Sequence, residues 1–104
     1  MKEGPDIARV ATLLGDPARA NMLTALMSGR ALTAAELAQE AGVTPQTASS
    51  HLAKLEAGQI VIPRKQGRHR YVTLSGPDLV EASECLLGMA SRVGIHRVRT
   101  GPQG

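Results

Sequence analysis

Aromatic side chains are nearly absent: Tyr71 stands alone, with no Phe or Trp anywhere in the 104 residues. A core without large rings has to be built from Leu, Ala, Val, Ile and Met, which favours small helices in close contact. Cysteine is as scarce. With Cys85 alone no intramolecular disulfide can form, and a lone thiol fits a reducing compartment. No apolar run approaches the roughly 20 residues of a membrane helix, and Lys2, Glu3 and Asp6 interrupt any secretory signal. These absences point to a cytoplasmic globular protein. Enzyme chemistry is poorly provided for as well. From three histidines and nine acids no nucleophile with a nearby base and no paired acids can be assembled, and there is no Gly-rich phosphate loop. The last absence is local: no Asp or Glu lies between Glu56 and Asp78, while that interval holds Arg64, Lys65, Arg68, His69 and Arg70. The net charge of +3 and pI near 9.6 are a mild bias toward polyanions; the clustering says more.

What is present is clear helix punctuation. The length suits one domain, expected over residues 1–93, with 94–104 as a flexible tail lacking apolar periodicity. A first helix is predicted over 5–14, with Ile7, Val10, Leu13 and Leu14 on one side and Gly15 as its stop. Asp16 caps a second, with Pro17 at its first position; Leu23, Leu26 and Met27 supply its buried face and Gly29 ends it. Thr33-Ala-Ala-Glu36 matches a capping box and opens a short third helix buried through Leu37, Ala38 and Ala41. Gly42-Val43-Thr44 is then too brief for an antiparallel return, so the third and fourth helices must cross steeply, as in a helix-turn-helix.

The fourth helix, Thr44 to Gly58, organises the rest. Ala48, Leu52 and Leu55 fall at i, i+4 and i+7, a narrow stripe for the core. Its other face reads Gln46, Thr47, Ser49, Ser50, Ala53 and Lys54, small or hydrogen-bonding where an ordinary solvated helix would carry more Glu and Lys. Such a face suits insertion into the major groove against base edges. After Gly58 the period changes. Ile60–Lys65 and Arg68–Leu74 read as two strands joined at Gln66-Gly67, with the bases near the tip and Pro63 at a position needing no ladder donor. Ser75-Gly-Pro-Asp78 starts a last helix through about Val93, with Leu79, Leu86, Ala90 and Val93 along one face and Val80 and Leu87 beside it. The fold class is mainly α with a small β-hairpin, a winged helix-turn-helix.

At this point the chain resembles the ArsR/SmtB family of dimeric bacterial transcriptional regulators. The resemblance is carried by LLGDPARANMLTALMSG (13–29), LTAAELAQEAGVTPQTASSHLAKLEAGQIV (32–61) and the wing RKQGRHRYVTL (64–74), and covers roughly residues 7–93. It implies that the helix at 45–57 enters the major groove, that the hairpin reaches the flanking backbone, and that the first and last helices form a homodimer. The apolar stripes of those helices agree, since so short a chain has too little body to cover both. Some proteins of this kind continue into a longer C-terminal region.

Residue chemistry gives each position a role. Gln46 matches bidentate pairing with adenine, and Ser49 and Ser50 serve several bases. Thr44 and Thr47, at a helix N-terminus, sit where a phosphate is attracted. His51 is read either as a phosphate contact or as packing beneath the helix, Lys54 as a backbone contact, and Tyr71 as packed on the domain body. Arg64, Lys65, Arg68, His69 and Arg70 are candidates for phosphate or minor-groove contact, against the alternative of a solvated tip. The partner expected is double-stranded DNA with an inverted-repeat operator. Protein interaction through the winged helix is the competing function. No metal or other cofactor is expected. Family members with a thiolate site carry Cys-x-Cys where this chain has LTAAEL (32–37); of the other site's Asp and His pairs, only Asp78, Glu81 and Glu84 stand on the last helix, with His96 beyond it, and Glu81 and Glu84 read as a solvated face. Cys85 reads as a small buried hydrophobe, with a redox role as the alternative; thiol-sensing relatives use two cysteines.

Overall fold

The computed structural model describes residues 4–94. The order is α1 (Ile7–Gly15), α2 (Pro17–Leu26), α3 (Ala34–Ala41), α4 (Pro45–Ala57), β1 (Val61–Gln66), β2 (His69–Leu74) and α5 (Pro77–Arg92). This is the expected winged helix-turn-helix. The caps predicted from sequence form bonds. Asp16 accepts from the backbone N–H of Arg19, and Thr33 and Glu36 complete a reciprocal capping box at 3.1 and 2.9 Å. Gly42 ends α3 in the left-handed region at φ 69°, which is what lets the chain turn sharply into α4.

The core joins α2, α3, α4 and the start of the hairpin. Met22, Leu23 and Leu26 meet Leu37 and Ala38 beneath Ala48, Leu52 and Leu55, with Ile60, Val61 and Val72 closing the far side. Each side chain of this set, aliphatic and unbranched or singly branched, buries without a polar atom to satisfy, contributing about 1.5–3 kcal/mol per large residue. No residue of α1 or α5 is buried. Leu13, Leu14 and Leu79 lean on the core, while Ile7 (79% exposed), Leu87 (53%) and Val93 (59%) stand in solvent.

Several boundaries differ from the sequence reading. α1 begins at Ile7, because Asp6 takes the cap and accepts from Arg9 N–H at 3.0 Å. α2 stops at Leu26, before Gly29, and Met27 is its cap residue. Gly58 does not supply the left-handed conformation that ends α4. Its φ is −83°, and Gln59 takes the positive value of 60°. Gln59 N–H then donates to Glu56 O and Ile60 N–H to Leu55 O, both at 2.9 Å, the bond pattern of a Schellman close. Gly58 is needed for a different reason: a Cβ there would run into the Leu13 side chain of α1.

The hairpin register pairs Gln66 with His69, so the two-residue loop is Gly67-Arg68 and not Gln66-Gly67. Gly67 takes φ 63°, as a tight hairpin requires at its first loop position. A bridge absent from the sequence reading joins Leu32 to the hairpin: Val72 N–H donates to Leu32 O at 2.8 Å and Leu32 N–H to Val72 O at 3.0 Å. Since both polar groups of Val72 point to Leu32, its partner across the hairpin, Pro63, lies in a non-hydrogen-bonded pair. Pro63 therefore loses no ladder bond, as expected. Among the described residues no helix is long and apolar enough to cross a membrane. The expectation of a flexible tail falls, from residue 95 on, outside the described residues.

The strained close of α4 is directly testable. Gln59→Gly removes the Cβ penalty of the left-handed region and is expected to stabilise the domain by about 1 kcal/mol, roughly 4–8 °C in Tm. Thermal melting followed by circular dichroism reads the shift; an unchanged or lower Tm would refute this account of the helix end.

Candidate nucleic-acid interface

One helix face and one hairpin tip carry the site. α4 sinks Ala48, Leu52 and Leu55 completely or nearly so, which leaves Thr44, Gln46, Thr47, Ser49, Ser50, Ala53 and Lys54 exposed together. At the N-terminus of α4, Thr44 Oγ1 accepts from Thr47 N–H at 3.1 Å and donates to Thr47 Oγ1 at 3.0 Å. Ala48 N–H is bonded to Thr44 O, and Pro45 has no N–H. Of the donors at N1 to N3 this leaves Gln46 N–H without an intrahelical acceptor.

The wing stands next to this face. Arg64, Lys65, Arg68, His69 and Arg70 are all exposed, and among the described residues none of these cations is in an ion pair. Strand alternation sends Lys65 and Arg70 to the side of Val72, and Arg64 and His69 to the side of Tyr71. Bases thus project from both faces of the ribbon. Tyr71 is half-buried, its ring centroid 6.1 Å from that of His69. Between α4 and the wing runs an open cleft of about 380 Å³, floored by Leu52 and Val72 and edged by Ser49, Ala53, Glu56, Pro63 and Arg70.

His51 differs from its neighbours. It is turned toward α2, where Nδ1 lies 3.0 Å from a terminal guanidinium nitrogen of Arg19 and Nε2 lies 3.8 Å from Asp16. Arg19 is 8% exposed, a buried cation. Its Nε donates to Leu13 O at 2.7 Å and its other terminal nitrogen to Thr12 O at 3.3 Å. The guanidinium therefore satisfies carbonyls at the C-terminal end of α1, where a positive charge is also favoured by the helix dipole. Asp16 and Pro17 are legible in the sequence as a helix start, but nothing local assigns a role to Arg19.

Two carboxyls sit below their ordinary range. Asp16 is lowered chiefly by the Arg19 backbone N–H it accepts, with the Arg19 and His51 side chains adding to this. Glu36 is lowered chiefly by its bond from the Thr33 backbone. Among the described residues no group of three or more His, Cys, Asp or Glu side chains is placed to hold a metal ion. Cys85 lies on α5 and is exposed in the single chain.

Comparison with known proteins agrees with this geometry. A helix-turn-helix domain family matches residues 14–64. The HTH-type transcriptional regulator YdfF of Bacillus subtilis is 41% identical over 95 residues, 91% of this chain but only 42% of the relative. The chain thus spans under half the length of that protein. Among solved structures, the homodimeric winged helix-turn-helix DNA-binding domain of Mycobacterium bovis Mb0332, a possible ArsR-family regulator, superposes with TM-score 0.76 at 23% identity. The match covers 96% of this chain and all of that one. The cadmium sensor CmtR of Mycobacterium tuberculosis follows with TM-score 0.68 at 28% identity, covering 94% and 97%. Fold and relatives define a helix-turn-helix domain of the kind found in HTH-type transcriptional regulators. More narrowly, the fold is similar to that of winged helix-turn-helix domains such as that of Mb0332, a possible ArsR-family regulator.

The lowered Asp16 gives a pH prediction with a definite sign. A carboxyl whose folded value lies below its unfolded value stabilises the fold above the unfolded value, near 3.9, and loses that contribution as pH falls through the folded one. Asp16→Asn keeps a side-chain cap but not the charge. The wild type is expected to melt higher than D16N at pH 7, and the gap is expected to close in acid below pH 4. A gap that persists there would show that the charge is not its source.

Proposed function

We propose that the chain is a dimeric, sequence-specific repressor that inserts α4 into successive major grooves of an inverted-repeat operator. The observation that carries this is the exposure of one hydrogen-bonding helix face flanked by wing cations that, among the described residues, have no acidic partners. Gln46, Ser49 and Ser50 would reach base edges, Thr44, Thr47 and Lys54 the backbone, and Arg64, Lys65, Arg68, His69 and Arg70 the flanking phosphates or minor groove. His51, bonded to Arg19, would contribute from beneath the helix. A second copy would cover the exposed apolar residues of α1 and α5, setting two α4 helices about 34 Å apart, one turn of B-DNA. The homodimeric state of the Mb0332 domain supports this arrangement. Repression would follow from occupying a promoter, in the cytoplasm, without a metal inducer. Residues 1–93 would suffice for both DNA binding and dimerisation, with Cys85 a packing residue of the dimer helix.

Salt and mutation separate the roles. Arg68→Gln or Arg70→Gln is expected to weaken binding to all sequences alike and to reduce the slope of log K against log salt by about 1. Gln46→Ala is expected to cost about 1–3 kcal/mol on the selected operator and to relax preference at one base pair per half-site. Fluorescence titration over a salt series on operator and scrambled duplexes measures both. Binding that ignores salt would favour a protein-interaction module instead. Removing residues from Asp78 onward is expected to give a monomer without operator binding, read by sedimentation; a dimeric, fully binding truncation would contradict the proposed interface.

A further inference from the structure

Among the described residues Arg19 is the one buried charged side chain, and it touches three acceptors that belong to two different helices. Its Nε and one terminal nitrogen donate to Leu13 O and Thr12 O at the end of α1. The other terminal nitrogen meets Nδ1 of His51 on α4 at 3.0 Å. A guanidinium has only donors, so Nδ1 must accept, which places a ring proton on Nε2, facing Asp16. The planar fork holds its three acceptors in a fixed relation that a flexible ammonium cannot reproduce. A second contact joins the same two helices at the C-terminal end of α4, where the Leu13 side chain occupies the space a Cβ of Gly58 would take. The end of α1 is therefore held to α4 at His51 and at Gly58.

We propose that Arg19 is a positioning residue for DNA reading, fixing through His51 the angle at which α4 leaves the body of the domain relative to α1. The proposal rests on α4 being the reading helix and α1 part of the dimer contact. With both true, the α1–α4 angle sets the separation and tilt of two reading helices about the two-fold axis. A change of a few degrees in each copy spoils simultaneous fit to two half-sites, while contacts to phosphates on any single groove survive.

The test uses the full chain with Arg19→Lys, His51→Leu and His51→Asn. Asparagine places an acceptor oxygen where Nδ1 stood, so H51N preserves the Arg19 bond; leucine does not. Each variant is checked for folding and dimerisation by melting and sedimentation, then titrated against an operator selected with the wild type and against random duplex at low salt. R19K and H51L are expected to lose operator affinity about 10-fold or more, the range of a lost charge-assisted hydrogen bond. Both are expected to bind random duplex like the wild type, and H51N to bind the operator within a few-fold of it. The double variant R19K/H51L is expected to be no worse than either single change, since both break one link. Nitrogen NMR of the wild-type ring is expected to show Nδ1 unprotonated and Nε2 protonated. Wild-type operator affinity in H51L, or a loss of random-duplex binding by H51L and H51N together, would overturn the proposal, the latter by making His51 a phosphate contact. Should R19K unfold, the His51 pair still decides. If the wild type itself selects no sequence, the reading of α4 falls and the proposal with it; if it selects and H51L selects equally, the proposal falls alone.

Discussion

The burial of three residues on one side of α4 governs the rest of the domain. Ala48, Leu52 and Leu55 are the points at which the helix is gripped, and α2 and α3 supply the grip from below. Because that stripe is only three residues wide, most of the helix circumference is left over. A small Ala at its N-terminal end lets α3 approach closely, so the first turns of α4 ride high on the surface. Polar groups there have no donors or acceptors of the domain within reach except the Thr44–Thr47 cap. Water satisfies them in the free protein, and base edges and phosphates offer the same hydrogen bonds. The same tight grip that makes a stable helix-turn-helix thus delivers a reading face with a fixed pitch and little side-chain entropy to lose.

Electrostatics enters through placement more than through amount. A net charge of +3 would be a weak lure for DNA if spread evenly. Here most of the acids lie on α3 and α5, at Glu36, Glu40, Asp78, Glu81 and Glu84, and at the helix caps Asp6 and Asp16, with Glu56 near the C-terminal end of α4. The wing is left purely cationic, and its bases project from both faces of a ribbon whose register is pinned by the Leu32 bridge. That bridge matters mechanically. An isolated two-stranded hairpin is marginal in water, and tying Val72 to the segment before α3 makes the wing an extension of the domain.

Local signals made most of the architecture legible, and non-local ones account for what was missed. Thr33/Glu36, Asp16-Pro17 and Gly42 act within four residues of themselves, so capping chemistry could be read directly. The strand bridge at Leu32 could not, because a single residue pairing 40 positions away leaves no periodicity. Gln59 was passed over for Gly58, since glycine is the usual left-handed residue and nothing nearby reveals that Leu13 needs the space instead. Arg19 illustrates the same limit more sharply. Its neighbours in sequence suggest an exposed first-turn base, and only the folded chain brings Thr12, Leu13 and His51 around it. For the interface, exposure of the reading face and the wing followed from pattern. The orientation of His51 did not, because a histidine at the edge of a stripe has two directions in which to point.

The terminal helices carry the remaining step. α1 and α5 together display Ile7, Val10, Leu86, Leu87, Met89 and Val93, each more than two-fifths exposed, without one fully buried residue between them. Helices of 9 and 16 residues do not hold themselves together in water by propensity. α1 has its last turn clamped by Arg19 and Leu13, and α5 has Leu79 against the core; beyond those anchors both depend on cover from outside the single chain. A second copy, as proposed, would provide that cover by symmetry and in doing so present two α4 helices at once. Stability of the ends and recognition of a two-fold operator would then be one requirement, met by the same contact, with the Arg19 link carrying the orientation of that contact through to α4.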